Sequence, residues 1–242
     1  MYKMKKLGVN IDHVATIRNA RGSNHPNPLL IAKHVSKCGA DSVTIHLRED
    51  RRHINDQDVL EICKDKKIIT NLEISLNDEI VKIALKNKPN YICIVPEKRK
   101  EITTEGGLNL NKNKTKIKKI ISLFNKANIR TSLFIDPNLK DIQSAKELNT
   151  DCVEIHTGKI SDLIKKNKDY KKELIKIQKC SKLGKNFGLE IHAGHGLDYK
   201  TTAILTKIKE ITEFNIGHFI IGESVTHGLK KTIKSFRKII SK

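Results

Sequence analysis

The feature that most constrains the fold is an alternation of short, apolar, β-branched runs with helical patterns, repeated eight times along 242 residues. The near-continuous apolar character of each run predicts a parallel strand that is covered on both faces. Eight such units favour a single α/β domain, a (β/α)8 TIM barrel, over an open doubly wound sheet of about five or six strands. We predict the strands at residues 7–12, 42–47, 68–74, 91–95, 130–136, 152–156, 187–193 and 213–218.

Helix signals fill the intervals between these strands. Pro28 fits the first turn of one helix, and Asn55 and Asn77 fit the N-cap positions of two more. Amphipathic patterns predict further helices at 114–127, 138–148, 200–211 and 228–240, and the segment 158–185 has room for an extra helix before its main one. No linker divides the chain, so residues 1–242 are predicted to form one catalytic domain.

The net charge of +20 raises the alternative of a basic module that binds nucleic acid. Lys supplies most of that charge, and Lys, Asn and Ile share AT-rich codons, so compositional drift explains the bias equally well. Aromatic residues make up 4% of the chain and Trp is absent, which argues against base stacking. The Arg residues are more informative, because five of the eight cluster between Arg18 and Arg52, as planar anion contacts require.

Location is predicted from what the sequence lacks. No apolar run approaches the ~18 residues of a membrane span, and the basic N-terminus is not followed by the apolar stretch of a secretion signal. The five Cys form no metal-binding or paired spacing and sit within apolar segments, as buried thiols do in a reducing compartment. We therefore expect a cytoplasmic protein without a membrane partner.

Ionisable residues collect at the carboxyl ends of the predicted strands, where barrel enzymes place their catalytic groups. Six of the ten His lie there, and His53 follows one strand closely. Convergent His with a carboxylate could hold zinc, but no strand carries a His-x-His pair and the surroundings are basic. The residues concerned are Asp12, His13, His46, Arg48, Glu73, Glu97, Asp136, Glu154, His156, His192, His195 and His218.

Phosphate is the favoured ligand of this end of the barrel. Gly194-His195-Gly196 follows strand seven and Gly217-His218 closes strand eight, and the loops after these strands usually form the phosphate site of such barrels. Arg21, Arg48 and His53 could form a second anion site across the mouth. The polar segment 96–113 is too long for an ordinary connection and is interpreted as a lid. Glu73 ends an apolar strand, so burial should raise its pKa and suit it to proton abstraction.

Eight segments together resemble the pyridoxine 5'-phosphate synthase family, from about residue 7 to the last helix. The most distinctive are TIHLREDRRHI at 44–54 and VPEKRKEITTEGGL at 95–108. The others are GVNIDHVATIRNARG (8–22), NLEIS (71–75), SLFID (132–136), EIHTG (154–158), AGHGL (193–197) and NIGHFIIG (215–222).

This resemblance implies a cytoplasmic homo-octamer with a (β/α)8 barrel and extra helices used for assembly. The implied reaction condenses 3-amino-2-oxopropyl phosphate (1-aminoacetone 3-phosphate) with 1-deoxy-D-xylulose 5-phosphate. Its products are pyridoxine 5'-phosphate, inorganic phosphate and water, in vitamin B6 biosynthesis. No metal and no organic cofactor are implied.

The resemblance also implies roles for individual residues. His46 and Glu73 match the family's proton acceptors, His195 its proton donor and Glu154 its transition-state stabiliser. Contacts to the aminoketone phosphate are implied for Asn10, Arg21, Gly196, Gly217 and His218, and contacts to the deoxyxylulose phosphate for Asp12, His13, Arg48, His53 and Thr103.

Two positions depart from the family pattern, and a second enzyme class stays open. The family often has Asn where this chain has His192, and Arg-Ala where it has Glu223-Ser224. The alternative is another phosphate-sugar barrel, an aldolase or isomerase. A Schiff-base aldolase would need a Lys near the end of a late strand, and no predicted strand offers one.

Overall fold

Eight parallel strands close into one barrel in the computed structural model, which describes residues 4–97 and 106–241. Each strand pairs with the next along the chain, and the last strand pairs with the first through Lys6 to Val9. The predicted (β/α)8 fold is confirmed. The strands are β1 (Lys6–Asn10), β2 (Ser42–His46), β3 (Thr70–Ile74), β4 (Tyr91–Ile94), β5 (Arg130–Ile135), β6 (Cys152–His156), β7 (Glu190–Gly194) and β8 (Ile211–Ile216).

Eleven helices surround the barrel in the described part of the chain. They are α1 (Asp12–Arg21), α2 (Pro28–Lys37), α3 (Asp56–Lys64), α4 (Asp78–Asn87), α5 (Lys114–Lys126), α6 (Leu139–Glu147), α7 (Gly158–Lys165), α8 (Lys171–Asn186), α9 (Tyr199–Leu205), α10 (His218–His227) and α11 (Leu229–Ile240). Within these ranges, no helix has both the length and the apolar character needed to cross a bilayer.

The helix N-termini follow the predicted capping chemistry. Pro28 occupies the first turn of α2, and the Asn27 side chain accepts a hydrogen bond from Leu30 N. Asn55 and Asp58 form a reciprocal capping box at α3, and the Asn77 side chain caps α4. The extra helix expected within 158–185 is α7, which precedes the longer α8.

Several predicted boundaries are wrong, including the start of β7, which is Glu190 rather than residue 187. Asp12 is the first residue of α1 rather than the end of a strand, and β8 begins two residues before its predicted start. The helix predicted at 200–211 ends at Leu205, since the chain turns and enters β8 at Ile211. Helices α1 and α10 were not predicted.

The two faces of the strands differ sharply in chemistry. Val9, Ile45 and Leu72 are fully buried between the barrel and the helices, as part of the main hydrophobic core. Alternate residues point into the barrel, where the buried side chains are mostly polar. Both faces are covered, as predicted, but only the outer one is apolar. The inward set includes Ser42, Thr44, His46, Asn71, Glu154, His192, Glu213 and Asn215.

Candidate active site

The predicted site residues meet at the carboxyl ends of the strands. Asn10 and His46 are the last residues of β1 and β2, and Glu73 precedes the last residue of β3. Glu154 lies in β6 on the far side of the barrel, next to Gly194 of β7 in space. Register between neighbouring parallel strands therefore gathers these groups at one mouth.

Asp12 joins the first two strands of the mouth. Its Oδ2 accepts a hydrogen bond from Asn10 Nδ2 (2.8 Å), and its Oδ1 accepts one from the backbone N–H of His46 (2.9 Å). Asn10 Oδ1 in turn accepts from the Asp12 backbone N–H (2.9 Å). Asp12 thus fixes the position of Asn10 and of the His46 backbone before any substrate binds.

His46 and Glu73 form the centre of the site. His46 Nδ1 lies 3.5 Å from Glu73 Oε2, and His46 Nε2 lies 3.8 Å from Glu97 Oε2. Burial, together with the carboxylates of Asp12 and Glu154, raises the pKa of Glu73 well above its ordinary value. Burial also lowers the pKa of His46 well below its ordinary value. The environment therefore favours the uncharged form of each group, which suits a pair that exchanges protons with a substrate.

Glu97, which follows β4, belongs to the site, as its place at a strand end predicts. Glu97 Oε1 accepts a hydrogen bond from Glu49 N (3.0 Å) and lies 3.5 Å from Arg48 Nε. Burial raises its pKa. Lys98 and Arg99 lie outside the described residues. Glu97 is the residue before that gap, so it links the start of the predicted lid to His46 and Arg48.

Arg48 and His53 present cationic or hydrogen-bonding groups on the same side of the mouth. Arg48 is almost fully buried, and His53 Nδ1 lies 3.9 Å from Asp12 Oδ1. Arg18 stabilises the loop between them. It forms two hydrogen bonds with Asp58 (2.6 and 2.9 Å) and donates another to the backbone carbonyl of His53 (3.1 Å). A rigid guanidinium is suited to an anionic group such as phosphate.

A second part of the mouth, after β8, offers a backbone site for an anion, and only β1 separates β8 from β2 around the barrel. Gly217 precedes the first residue of α10, His218, so the N-terminal N–H groups of that helix begin at the barrel mouth. A Cβ at Gly217 would approach Asn10 Cβ to 2.9 Å, which explains why glycine stands there. His218 Nδ1 and His13 Nε2 lie 3.2 Å apart, so these two rings form one wall of the site.

His195 is held in an unusual backbone conformation at the end of β7. Its φ is +77°, in the left-handed region that non-glycine residues rarely adopt. The Thr157 hydroxyl lies within hydrogen-bond distance of the carbonyls of Gly194 (2.8 Å) and His195 (2.7 Å). Burial, and then His156 and Lys165, lower the pKa of His195 to about 4, so the unliganded ring is neutral at neutral pH.

Glu154 and His156, two residues apart on β6, each contact a polar side chain from another part of the barrel. Glu154 Oε2 accepts a hydrogen bond from Asn215 Nδ2 (2.7 Å), and burial raises the pKa of Glu154 to about 7. His156 has its Nδ1 3.0 Å from Asp136 Oδ1. Asn215 was missed, and its only signal is a polar residue at an inward position of β8, which Glu213 on the same strand shares.

Two groups of side chains could in principle hold a metal ion in the described residues. Asp12, His46 and His53 form the first, but Arg48 and Arg52 lie close enough to lower the pKa of both His. The second lies at the barrel floor and comprises Glu190, His192 and Glu213. Arg130 and Lys6 already pair with Glu190, so its charge is balanced by protein cations. The donor sets do not require a metal.

Two predicted site residues are not joined to this arrangement. Arg21 is the exposed last residue of α1, and none of the contacts found among the described residues links it to the other site residues. Thr103 lies outside the described residues, as does the 98–105 part of the predicted lid. Gly196 is present beside the mouth, where its carbonyl accepts a hydrogen bond from Lys165 Nζ (3.0 Å).

Comparison with known proteins identifies close relatives. A family model described as Pyridoxal phosphate biosynthesis protein PdxJ matches residues 7–242. A pyridoxine 5'-phosphate synthase from Pelagibacter ubique is 78% identical over 239 residues, covering 99% of this chain and 100% of the relative. A protein of the same name from Zymomonas mobilis is 46% identical over 240 residues, covering 99% and 93%.

Solved structures share the fold at low sequence identity. A 3-keto-L-gulonate-6-phosphate decarboxylase from Vibrio cholerae superposes with a TM-score of 0.67 at 13% identity, covering 98% of each chain. A 3-hexulose-6-phosphate synthase gives a TM-score of 0.64 at 14% identity, covering 97% of this chain and 99% of the other. At these identities the likeness establishes the barrel alone.

Proposed function

The chain belongs to the pyridoxine 5'-phosphate synthase family and is an enzyme of vitamin B6 biosynthesis, and on that premise we propose how its site carries out the reaction. The substrates are 3-amino-2-oxopropyl phosphate and 1-deoxy-D-xylulose 5-phosphate. Pyridoxine 5'-phosphate, inorganic phosphate and water are the products. The observation that carries this proposal is the buried His46–Glu73 pair at a mouth that also has two anion-binding parts, one after β2 and one after β8.

The two phosphates bind at neighbouring parts of the mouth, one after β8 and one after β2, with His13 between them. The aminoketone phosphate takes the N-terminus of α10 at Gly217 and His218, with Gly196 and Asn10 beside it. The deoxyxylulose phosphate takes Arg48 and His53, with Asp12 and His13 beside it. We also assign Arg21 and Thr103 to these two substrates respectively, from family resemblance. This arrangement brings the amine of one substrate to the ketone of the other above Glu73.

Imine formation is the first chemical step. The amine attacks the ketone, and His195 donates the proton with which water leaves. A neutral imidazole is a poor acid, so His195 must gain a proton when a phosphate dianion binds beside Gly196, because the nearby anion stabilises the imidazolium. Glu154 stabilises the positive charge of the iminium across the mouth.

Proton abstraction and ring closure follow. Glu73 and His46 remove carbon-bound and hydroxyl protons while the phosphate of the sugar leaves as inorganic phosphate. Aldol-type closure and a second loss of water then aromatise the ring. Glu73 must first lose its proton, which the neutral His46 beside it can accept, and the raised pKa of Glu73 then makes the ionised group a stronger base than an exposed carboxylate. A closed 96–113 segment would keep water from the imine.

The alternative of a Schiff-base aldolase lacks its nucleophile. Lys6 is the single Lys in the eight strands, all of which are described, and it begins β1 at the end of the barrel opposite the site. The choice is tested by incubating the protein with both phosphates and following pyridoxine 5'-phosphate absorbance together with phosphate release. Release of one inorganic phosphate for each pyridoxine 5'-phosphate formed supports the synthase. Consumption of the two substrates without formation of pyridoxine 5'-phosphate contradicts it.

Assembly and location are part of the same proposal. We propose a single catalytic domain, residues 1–242, that assembles into a cytoplasmic homo-octamer. Exposed apolar side chains on three neighbouring helices support assembly, namely Ile17 on α1, Leu30 on α2 and Val225 on α10, which is 83% exposed. All five Cys are unpaired and buried, which supports a reducing compartment. Light scattering coupled to size-exclusion chromatography tests the octamer.

A further inference from the structure

The carboxylate of Glu154 is held by a neighbour that has no assigned role. Glu154 lies in β6 and is 3% exposed, and Asn215 lies in β8 and is 6% exposed. Asn215 Nδ2 donates a 2.7 Å hydrogen bond to Glu154 Oε2 across the barrel interior. Asn215 Oδ1 is also buried and has no hydrogen-bond partner among the described residues. The amide therefore contributes one interaction here, a donated hydrogen bond to a carboxylate oxygen.

Two glycines make room for this pair. A Cβ at Gly194 would overlap Glu154 Oε1, and a Cβ at Gly8 would overlap Asn215 Oδ1. Neither Gly8 nor Gly194 has a positive φ, so backbone conformation does not explain them. Their missing side chains leave the space that the carboxylate and the amide occupy. Four residues on four strands thus fix the direction in which the Glu154 carboxylate points.

Few other groups favour the ionised form of Glu154. His192 on β7 is the partner in register of Glu154, and the His192 imidazole favours the Glu154 carboxylate. His156, two residues further along β6, has the same effect. Glu213 below and Glu73 across the barrel oppose it. The Cys93 thiol also faces this space, and its pKa is raised well above its ordinary value by burial and by the two carboxylates. An ionised carboxyl accepts hydrogen bonds and donates none, so a donated N–H stabilises the charged form selectively.

We propose that Asn215 is a positioning residue that keeps Glu154 ionised and aimed at the positive charge that develops in the mouth. The inference rests on the role proposed above for Glu154. It adds that Asn215 sets the pH range in which Glu154 is ionised and can fill that role. A protonated Glu154 would present a neutral group to the iminium and lose the electrostatic stabilisation. Asn215 itself does not touch the substrate in this arrangement.

The test is a titration of Glu154 in the unliganded protein. Infrared difference spectra over pH 5 to 10 follow the C=O band of the protonated carboxyl, assigned by its loss in Glu154→Gln. Asn215→Leu keeps the size of the side chain and removes the donor. Because a hydrogen bond to a charged group is worth about one to two pH units, the midpoint should rise by that amount. The acidic limb of kcat should rise with it while KM for both substrates stays unchanged.

Asn71→Leu is the matched control. Asn71 is equally buried in the barrel interior, but its amide donates to Thr44 Oγ1 (3.2 Å) rather than to Glu154. Its variant should leave the Glu154 midpoint in place. Asn215→Ser, whose hydroxyl is too short to reach Oε2, gives the same measurement if the leucine variant does not fold.

Three results would overturn the inference. They are an unmoved midpoint in the Asn215 variant, a fall in that midpoint, and an equal rise in Asn71→Leu. A fall would mean that the amide is turned and accepts a hydrogen bond from the protonated carboxyl. The proposed function is judged separately, because full turnover by Glu154→Gln would remove Glu154 from the mechanism without altering the titration.

Discussion

His46 Nδ1 and Glu73 Oε2 face each other at 3.5 Å across neighbouring strands, and the barrel favours the neutral form of both. The two residues are partners in register, so the distance is set by the pairing of β2 with β3. A buried ion pair would hold its proton tightly. Here burial favours the proton on the Glu73 carboxyl and a neutral His46, so the neighbouring imidazole is available to accept that proton.

Replacing Glu73 with Gln should abolish turnover and leave binding intact. The amide keeps the size of the side chain and cannot accept a proton, so kcat should fall by about 10²- to 10⁴-fold. Phosphate release under steady-state conditions measures kcat, and calorimetry with each substrate alone measures binding.

Glu147→Gln is the control for this variant, because Glu147 is an exposed residue of α6 that pairs with Lys114. It should retain normal kinetics. Near-normal turnover by Glu73→Gln would remove Glu73 from the role of base.

The raised pKa of Glu154 predicts a loss of stability as the pH increases. The pKa is about 7 in the folded protein against an ordinary value of 4.5, so the folded state binds a proton that the unfolded state releases in this window. The Glu154 contribution is present below pH 4.5 and is lost as the pH rises to 7, on the order of 2–3 kcal/mol. Glu154→Gln lacks this loss.

Urea unfolding of both proteins at pH 5 and pH 8, at one protein concentration, measures the effect. The variant should gain stability relative to the parent between the two values. A constant difference between them would mean that Glu154 titrates as an ordinary exposed carboxyl.

Binding of a dianion should be accompanied by proton uptake at His195, and sulfate is the calorimetric probe because it carries two charges at pH 6. The unliganded ring has a pKa of about 4, and a dianion beside it favours the imidazolium. Calorimetry with sulfate at pH 6, in buffers of different ionisation enthalpy, reports the number of protons taken up. His195→Gln should bind sulfate with less uptake. Equal uptake in both proteins would assign the proton to another group.

The buried ion pair between Arg18 and Asp58 should contribute to stability and to substrate binding. Arg18→Met leaves Asp58 buried without its partner, which should cost about 3–5 kcal/mol in urea unfolding. The variant also removes the hydrogen bond to the His53 carbonyl, so KM for deoxyxylulose phosphate should rise.

Lys166→Met provides the comparison, since Lys166 and Asp162 form an exposed pair one helical turn apart. It should cost at most about 0.5 kcal/mol. An equally small cost for Arg18→Met would show that the loop after β2 holds its shape without this brace.

The barrel was predictable because the strands carry β-branched residues on the face that packs under the helices. Helices α1 and α10 were not, and the reason is physical. In α1 the buried positions include Asp12 and Arg18, and in α10 Ile220 is buried while Val225 is largely exposed. Neither segment has the apolar stripe that identifies a helix in sequence.

The candidate site was predictable where a motif or a strand end marks the residue, as for Glu73 and His195. Asn215 was not predicted as a member, and the partners of Asp136 and Glu97 were not predicted either, because these contacts depend on which strands become neighbours after closure. Asn215 meets Glu154 only because β8 returns to the barrel two strands after β6. The 61-residue separation of Asn215 and Glu154 in the sequence does not predict that contact.

The polar interior and the apolar outer face of the strands have a consequence for how this protein can change. A substitution that points inward alters the reaction chemistry and removes little hydrophobic burial, whereas one that points outward weakens packing and leaves the reacting groups untouched. Adjacent positions on one strand are therefore under different selection, one for the chemistry of the barrel interior and the next for packing against the helices. A lineage can explore new substrates through alternate residues of β6 to β8 and keep the same scaffold.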